Sequence, residues 1–248
     1  MNAGLSATDD HVLAILSQRA LRYGARLRPL SSGQIAARLY RFHALPLTQA
    51  WRMRLASPAG IGDWLGLAGS EDWARRLADA YVGMPDPSGH WLHWRRPGTG
   101  GPLRHKLYVS PTPDALSALF ARLVPICCEL DAPAFKVGST AQGVLRPDKL
   151  VVYFASQEHL TAVAGEAATA LGRFPVHGVP LTAPADRSGL LSWGHDPAGA
   201  GSWRVWLCRL LADAISGAPA DDLDGVVAHA QGRLAAAGVD PRRWTPLQ

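Results

Sequence analysis

Leu103-Arg104-His105-Lys106-Leu107-Tyr108-Val109-Ser110 carries Leu103, His105, Leu107 and Val109 at alternate positions, with Arg104, Lys106 and Tyr108 between them. That period of two is a β-strand with one face toward a core. Upstream, His90-Trp91-Leu92-His93-Trp94-Arg95 reads as another strand across the flexible loop Pro97-Gly98-Thr99-Gly100-Gly101-Pro102. Downstream, Thr112-Pro113-Asp114 opens a helix through Leu116, Leu119, Phe120 and Leu123 that is expected to stop before Pro125. Ala134-Phe135-Lys136-Val137 is a short strand, followed by the loop Gly138–Gly143. Arg146-Pro147-Asp148-Lys149 then feeds the apolar strand Leu150-Val151-Val152-Tyr153-Phe154. Ser156 with Glu158 caps a helix to Leu171, Leu190–Trp193 is a last strand, and helices follow at 203–216 and 221–237, the second ended by Gly238. Strands and helices in this order give an α+β fold with a mixed or antiparallel sheet flanked by helices.

Toward the N-terminus the texture is helical. Residues 9–28, with Thr8 or Asp9 as cap, 33–43 and 70–82 carry apolar side chains at helical spacing, and Pro46 and Pro58 punctuate the stretch between them. The turn-rich Gly83-Met84-Pro85-Asp86-Pro87-Ser88-Gly89 marks a change of character. The division expected is a mainly helical region over 1–88 and an α+β domain over 89–248.

A chain of 248 residues, 48% apolar and with a mean hydropathy of zero, can build a sizeable core. No apolar run approaches the roughly 18–20 residues that span a bilayer. The first ten residues lack a basic-then-apolar leader pattern, so the expectation is a cytoplasmic protein without membrane attachment. Cys127, Cys128 and Cys208 show no Cys-x-x-Cys spacing and read as reduced core residues. The net charge of +5 comes from scattered basic residues without a dense run or an aromatic–basic stacking pattern. It points to a phosphorylated or acidic partner and away from nucleic acid. Neither a metal-ligand spacing, a phosphate loop, a dinucleotide fingerprint nor a Gly-x-Ser-x-Gly elbow is present, and no cofactor is implied.

Among 25 basic residues only three are lysines, Lys106, Lys136 and Lys149, all within 44 positions of one another. Where arginine dominates so strongly, lysine persists mainly where a side chain must surrender a proton, which arginine cannot do. Lys136, between Phe135 and Val137, is either a desolvated base of lowered pKa or an outward strand residue. Lys106 and Tyr108 share a polar strand face that is either a site floor or a solvated edge, and the strand pattern favours the solvated edge. Arg146 and Lys149 bracket Asp148 at a strand mouth, where two cations suit a phosphate dianion or pair with the carboxylate. Arg187, after Asp186, has the same two readings. His195-Asp196 is either an imidazole oriented by a carboxylate or a structural turn histidine.

Lys106-Leu-Tyr108-Val-Ser, Phe135-Lys136-Val137, Arg146-Pro-Asp-Lys149-Leu-Val-Val-Tyr153 and Ser192-Trp-Gly-His195-Asp196-Pro together resemble the HopA-like type III effector family over residues 103–215. That family includes lyase subunits of class V lanthipeptide and thioamitide biosynthesis. The spaced lysines are more distantly similar to the phosphothreonine lyases. The resemblance implies β-elimination of phosphate from phosphoserine or phosphothreonine in a ribosomal precursor peptide. It also implies a separate kinase-like partner protein held in a complex. It carries the general base to Lys136, carbonyl polarisation to Lys106 and phosphate binding to Arg146, with Lys149 and Arg187 as weaker additions. Tyr108 stands where the secreted lyases have their acid histidine. This leaves Tyr108, His195, His105 or no strong acid at all for the leaving phosphate. The alternatives to a lyase are a non-catalytic phosphopeptide-binding or kinase-scaffolding subunit, and a host-directed effector.

Overall fold

A computed structural model describes residues 11–56, 60–199 and 201–247. Helices α1 (Val12–Arg26), α2 (Ser32–Tyr40), α3 (Gln49–Arg54), α4 (Ile61–Leu65) and α5 (Asp72–Ala80) lead into strands β1 (Val82–Met84), β2 (Trp91–Arg95) and β3 (His105–Val109). Then come α6 (Leu116–Glu129), β4 (Ala134–Gly138), α7 (Ala141–Val144), β5 (Leu150–Phe154) and α8 (Gln157–Leu171). The chain closes with β6 (Ala183–Pro184), β7 (Leu191–His195), α9 (Trp203–Ser216), α10 (Leu223–Ala236) and the small hairpin β8 (Val239–Asp240) and β9 (Thr245–Pro246). The fold is α+β as expected. The main sheet has the order β1-β2-β4-β5-β3-β7-β6, and every neighbouring pair is antiparallel.

Caps set the helix starts. Ser31 and Gln34 form a capping box at α2, and Ser156 accepts from the His159 amide at α8. Helix α1 is capped by His11, whose Nδ1 accepts from the Leu13 amide, while Thr8 and Asp9 lie outside the described residues. Pro125 does not end α6, which starts with a 3₁₀ turn at Pro113–Ala115 and runs on to Glu129. Proline forfeits one backbone bond there, but Val124, Ile126 and Cys127 are buried around it and hold the helix against the sheet. The pattern also missed β1, β6 and the closing hairpin, each too short to show a period.

One sheet face is apolar. Leu107, Phe135, Val137, Leu150, Val152 and Phe154 meet α4, α5, α6 and α8 in the larger core. A second core joins α1 and α2 to α9 and α10 around Leu21, Ile35, Leu39, Leu207 and Leu211. This helical group reaches the opposite sheet face, where Tyr40 of α2 and Ser202 before α9 lie over β3, β4 and β5. No described helix is long and apolar enough to cross a membrane.

Candidate active site

Antiparallel register places the polar strand residues in rows across this second face. One row runs His93, Lys136, Val151, Tyr108, Ser192; the next runs Arg95, Ala134, Tyr153, Lys106, Gly194. Phe135 and Val137 enter the core on one side, which turns Lys136 out on the other, and Leu107 does the same for Lys106 and Tyr108. The two lysines stand two strands apart with β5 between them, and their ammonium groups lean over one ring: Nζ of Lys106 is 5.4 Å and Nζ of Lys136 5.6 Å from the Tyr153 centroid. Together with Tyr40, Trp91, Tyr108, Arg146, Asp148, Val151 and Ser202 they line a pocket of about 110 Å³, room for a group of several heavy atoms. The polar face is thus no solvated edge: Lys106 is 7% and Tyr108 3% exposed. The helical group that the strand pattern could not show covers it.

The charges here are unequally neutralised. Arg146 forms a two-pronged pair with Asp148, Nε and Nη2 each at 2.9 Å, and Nη2 also donates to the Tyr40 hydroxyl at 2.6 Å. Arg204 of α9 brings Nη1 within 2.8 Å of the same carboxylate and donates Nη2 to the Tyr40 carbonyl. Burial alone would raise the Asp148 pKa, but Arg204 and Arg146 hold it far below the usual carboxylate range. Burial opposes the charge on Arg146 as well, and Asp148 outweighs it and raises the guanidinium pKa. Lys106 pairs with Asp196 at 2.6 Å. Lys136 has no carboxylate within ion-pair distance among the described residues; its Nζ rests 4.0 Å from the Trp91 ring centroid. Burial, then the charge on Lys106, brings its pKa down to about 8. A substantial fraction of Lys136 is therefore a neutral amine near physiological pH.

Several donors in and around the pocket wait for an acceptor. The Tyr108 hydroxyl, buried and raised well above its ordinary pKa chiefly by desolvation, has no hydrogen-bond partner among the described residues. The same is true of Ser192 Oγ and of Nε and Nη1 of Arg204, whose approach to Asp148 is an ion pair without hydrogen-bond alignment. Ser202, at the N-cap position of the 14-residue α9 but without a side-chain capping bond, brings the start of that helix to the cavity wall, where Asp196 already accepts from the Trp203 amide. Among the described residues no group of three His, Cys, Asp or Glu side chains is gathered closely enough to hold a metal ion.

The structure therefore brings Lys106, Lys136, Tyr108 and Arg146 together and leaves the other nominated residues outside the pocket lining. Lys149 is wholly buried; its Nζ donates to the Pro111 carbonyl at 2.9 Å and meets His177 Nδ1 at 2.8 Å, so it cannot reach a phosphate in the pocket. Arg187 is exposed and does not line the cavity. His195 is a strand residue of β7, not a turn residue, and its register partner is His105. Both imidazoles lie on the opposite sheet face from Lys106, with their Nδ1 atoms 3.3 Å apart, and neither lines the pocket. Asp196, read as orienting His195, instead pairs with Lys106 and caps the Trp203 amide. Sequence reasoning also missed Tyr40, Trp91, Tyr153, Ser202 and Arg204. For Arg204 a signal existed: it occupies the stripe of Leu207, Cys208 and Leu211, where a buried cation demands a buried partner.

In sequence the chain matches no family profile and no curated protein. Two solved structures superpose over nearly all of it. An effector protein from Pseudomonas syringae pv. tomato strain DC3000 aligns with a TM-score of 0.56 at 13% identity, covering 94% of this chain and 97% of that one. An effector protein from Pseudomonas syringae pv. syringae strain 61 gives 0.52 at 14% identity, with 94% and 98% covered. The type III effector and phosphothreonine lyase OspF from Shigella flexneri aligns at 0.43 and 10% identity over 64% of this chain and 94% of its own. The first two superpositions show that the chain has the fold of these Pseudomonas effector proteins.

Proposed function

We propose that the pocket is the active site of a carbon–oxygen lyase that eliminates phosphate from phosphoserine or phosphothreonine in a peptide. The observation that carries the reading is Lys136: an amine without a carboxylate partner among the described residues, lowered to a pKa of about 8 chiefly by burial and by Lys106, in a pocket that it shares with Lys106, Arg146 and the Tyr108 hydroxyl and whose one carboxylate, Asp148, is already paired with Arg146 and Arg204. Neutral Lys136 takes the Cα proton. The electron pair of that C–H bond becomes the Cα–Cβ double bond, and the Cβ–O bond breaks with its electrons leaving on the phosphate oxygen. The products are dehydroalanine from serine or dehydrobutyrine from threonine, inorganic phosphate and a protonated Lys136. Lys106 stabilises the charge that gathers on the adjacent carbonyl oxygen. Arg146, fixed by Asp148, and the Tyr108 hydroxyl hold the phosphate. Because the Tyr108 phenol keeps its proton, it acts as a hydrogen-bond donor to the leaving group.

The substrate is a ribosomal precursor peptide phosphorylated by a separate kinase-like protein in complex with this chain. Support for this finer reading is the sequence resemblance over residues 103–215. A second reading, a phosphopeptide-binding subunit without turnover, draws on one observation: no histidine lines the pocket, and a phenol of raised pKa is a weak acid. Incubating the purified protein with a phosphoserine peptide of the precursor and following the peptide by mass spectrometry separates the two. Loss of phosphoric acid supports the lyase. Tight binding with the phosphate retained, even with the kinase present, supports the binding subunit.

A further inference from the structure

The rows that hold the lysines continue past the pocket to the sheet edge. Met84 is the register partner of His93, and Val82 that of Arg95, so all four side chains stand on the same face as Lys136. Val82 is 55% and Met84 39% exposed, two apolar side chains in solvent on a strand whose outer edge is unpaired. Arg95 has no carboxylate within ion-pair distance among the described residues; its Nη2 donates to the Thr99 carbonyl at 3.0 Å. Asp86, the acid of the intervening turn, is engaged by Ser88 and by the amides of His90 and Trp91. A half-buried cation therefore sits between the pocket and an apolar shelf, and none of these groups has a place in the elimination chemistry.

From these positions we infer that β1 and β2 form a docking strip for the peptide chain flanking the phosphorylated residue. Arg95 takes an acidic side chain, and Val82 with Met84 takes an apolar one beyond it. The inference rests on the reading of the pocket as a phosphopeptide site. Lys136 and the β1 side chains are two strand spacings apart, roughly 10 Å. An extended peptide covers that distance in about three residues. The selected substrate thus carries an aspartate or glutamate one or two residues from the phosphorylated position and an apolar residue two to four away, on the same side.

The test uses the full chain and fluorescein-labelled phosphoserine peptides in which those flanking positions are varied between glutamate and lysine and between leucine and serine. Binding is read by fluorescence anisotropy, independently of turnover. The wild-type protein is expected to bind the glutamate peptide several-fold and at most about tenfold more tightly than the lysine peptide, since the comparison sets one attraction to Arg95 against one like-charge repulsion. Arg95→Glu reverses that preference. Val82→Ser with Met84→Ser, two exposed positions whose change does not endanger folding, removes the preference for leucine. Equal affinities of the wild type for the glutamate and lysine peptides, or an Arg95→Glu protein with unchanged preference, overturns the strip. A wild type that shows these preferences but leaves every phosphate in place keeps the strip and sinks the lyase.

Discussion

Lys136 owes its lowered pKa first to burial, against a wall that includes Trp91, then to the ammonium group of Lys106, with a smaller push from the Arg146 guanidinium. Because the base must be unprotonated, the elimination rate is predicted to rise with pH through an inflection at about 8 before it levels off, measured as initial rates of phosphate release. Lys106→Met removes the larger of the two charge effects and shifts the inflection upward. Lys136→Arg keeps a cation that never gives up its proton, so elimination falls by about 10²–10⁴-fold while the phosphopeptide still binds. Lys149 titrates in the same region, by burial alone. Burial lowers it to about 7, so the folded state binds fewer protons than the unfolded state above that pH, and stability rises as pH increases. Between pH 7 and about 8.5, below the ordinary range of the cysteine thiols, the melting temperature should climb. The climb should be shallower in Lys149→Met, with the rest due to Lys136. The scarcity of lysine made these residues visible in the sequence. Their division of labour was not visible, because whether a lysine meets Asp196, His177 or no carboxylate is decided by residues far away in the chain.

Two close approaches between elements shape the pocket. A Cβ on Gly194 would stand 2.5 Å from Cδ1 of Trp203, so the bare glycine is what lets the start of α9, with Ser202 and Arg204, settle against β7. A Cβ on Gly138 would come within 2.6 Å of the Gly143 carbonyl carbon, backbone that cannot swing aside, and this contact seats α7 and the Arg146–Asp148 segment on β4. Gly194→Ala is predicted to cost about 1–3 kcal/mol of stability in a urea titration and to weaken phosphopeptide binding with it. Gly138→Ala should cost at least as much. The strands β2 to β5 and the helices α8 and α9 were legible from period and caps, since each is long enough to repeat. The register that sets Lys136 opposite Val151 and Tyr108 beside it was not, because strand order in this sheet crosses the chain order. His105 leaves the site by simple alternation with Lys106 along β3, which the sequence did show; only its pairing with His195, which puts that imidazole on the same far face, needed the register.

At the scale of the molecule, the N-terminal helices are bound into the site's architecture. Leu21, Ile35 and Leu39 share a core with α9 and α10, and Tyr40 at the end of α2 reaches Arg146 and Asp148. A chain beginning at residue 89 would expose that face of α9 and lose the Tyr40 contacts. It is predicted to be poorly soluble and to bind no phosphopeptide, checked by soluble yield and by calorimetry against the full chain. The sequence showed two textures, helical and then α+β, but a change of texture does not say which surfaces meet. Whether Lys136 is the base is decided by Lys136→Ala with a phosphoserine peptide, followed by mass spectrometry with and without added ethylamine. The account predicts that the wild type releases phosphate and leaves dehydroalanine, that Lys136→Ala does neither, and that the small amine restores part of the rate by standing in for the missing side chain. Elimination that persists in Lys136→Ala without the amine would contradict it.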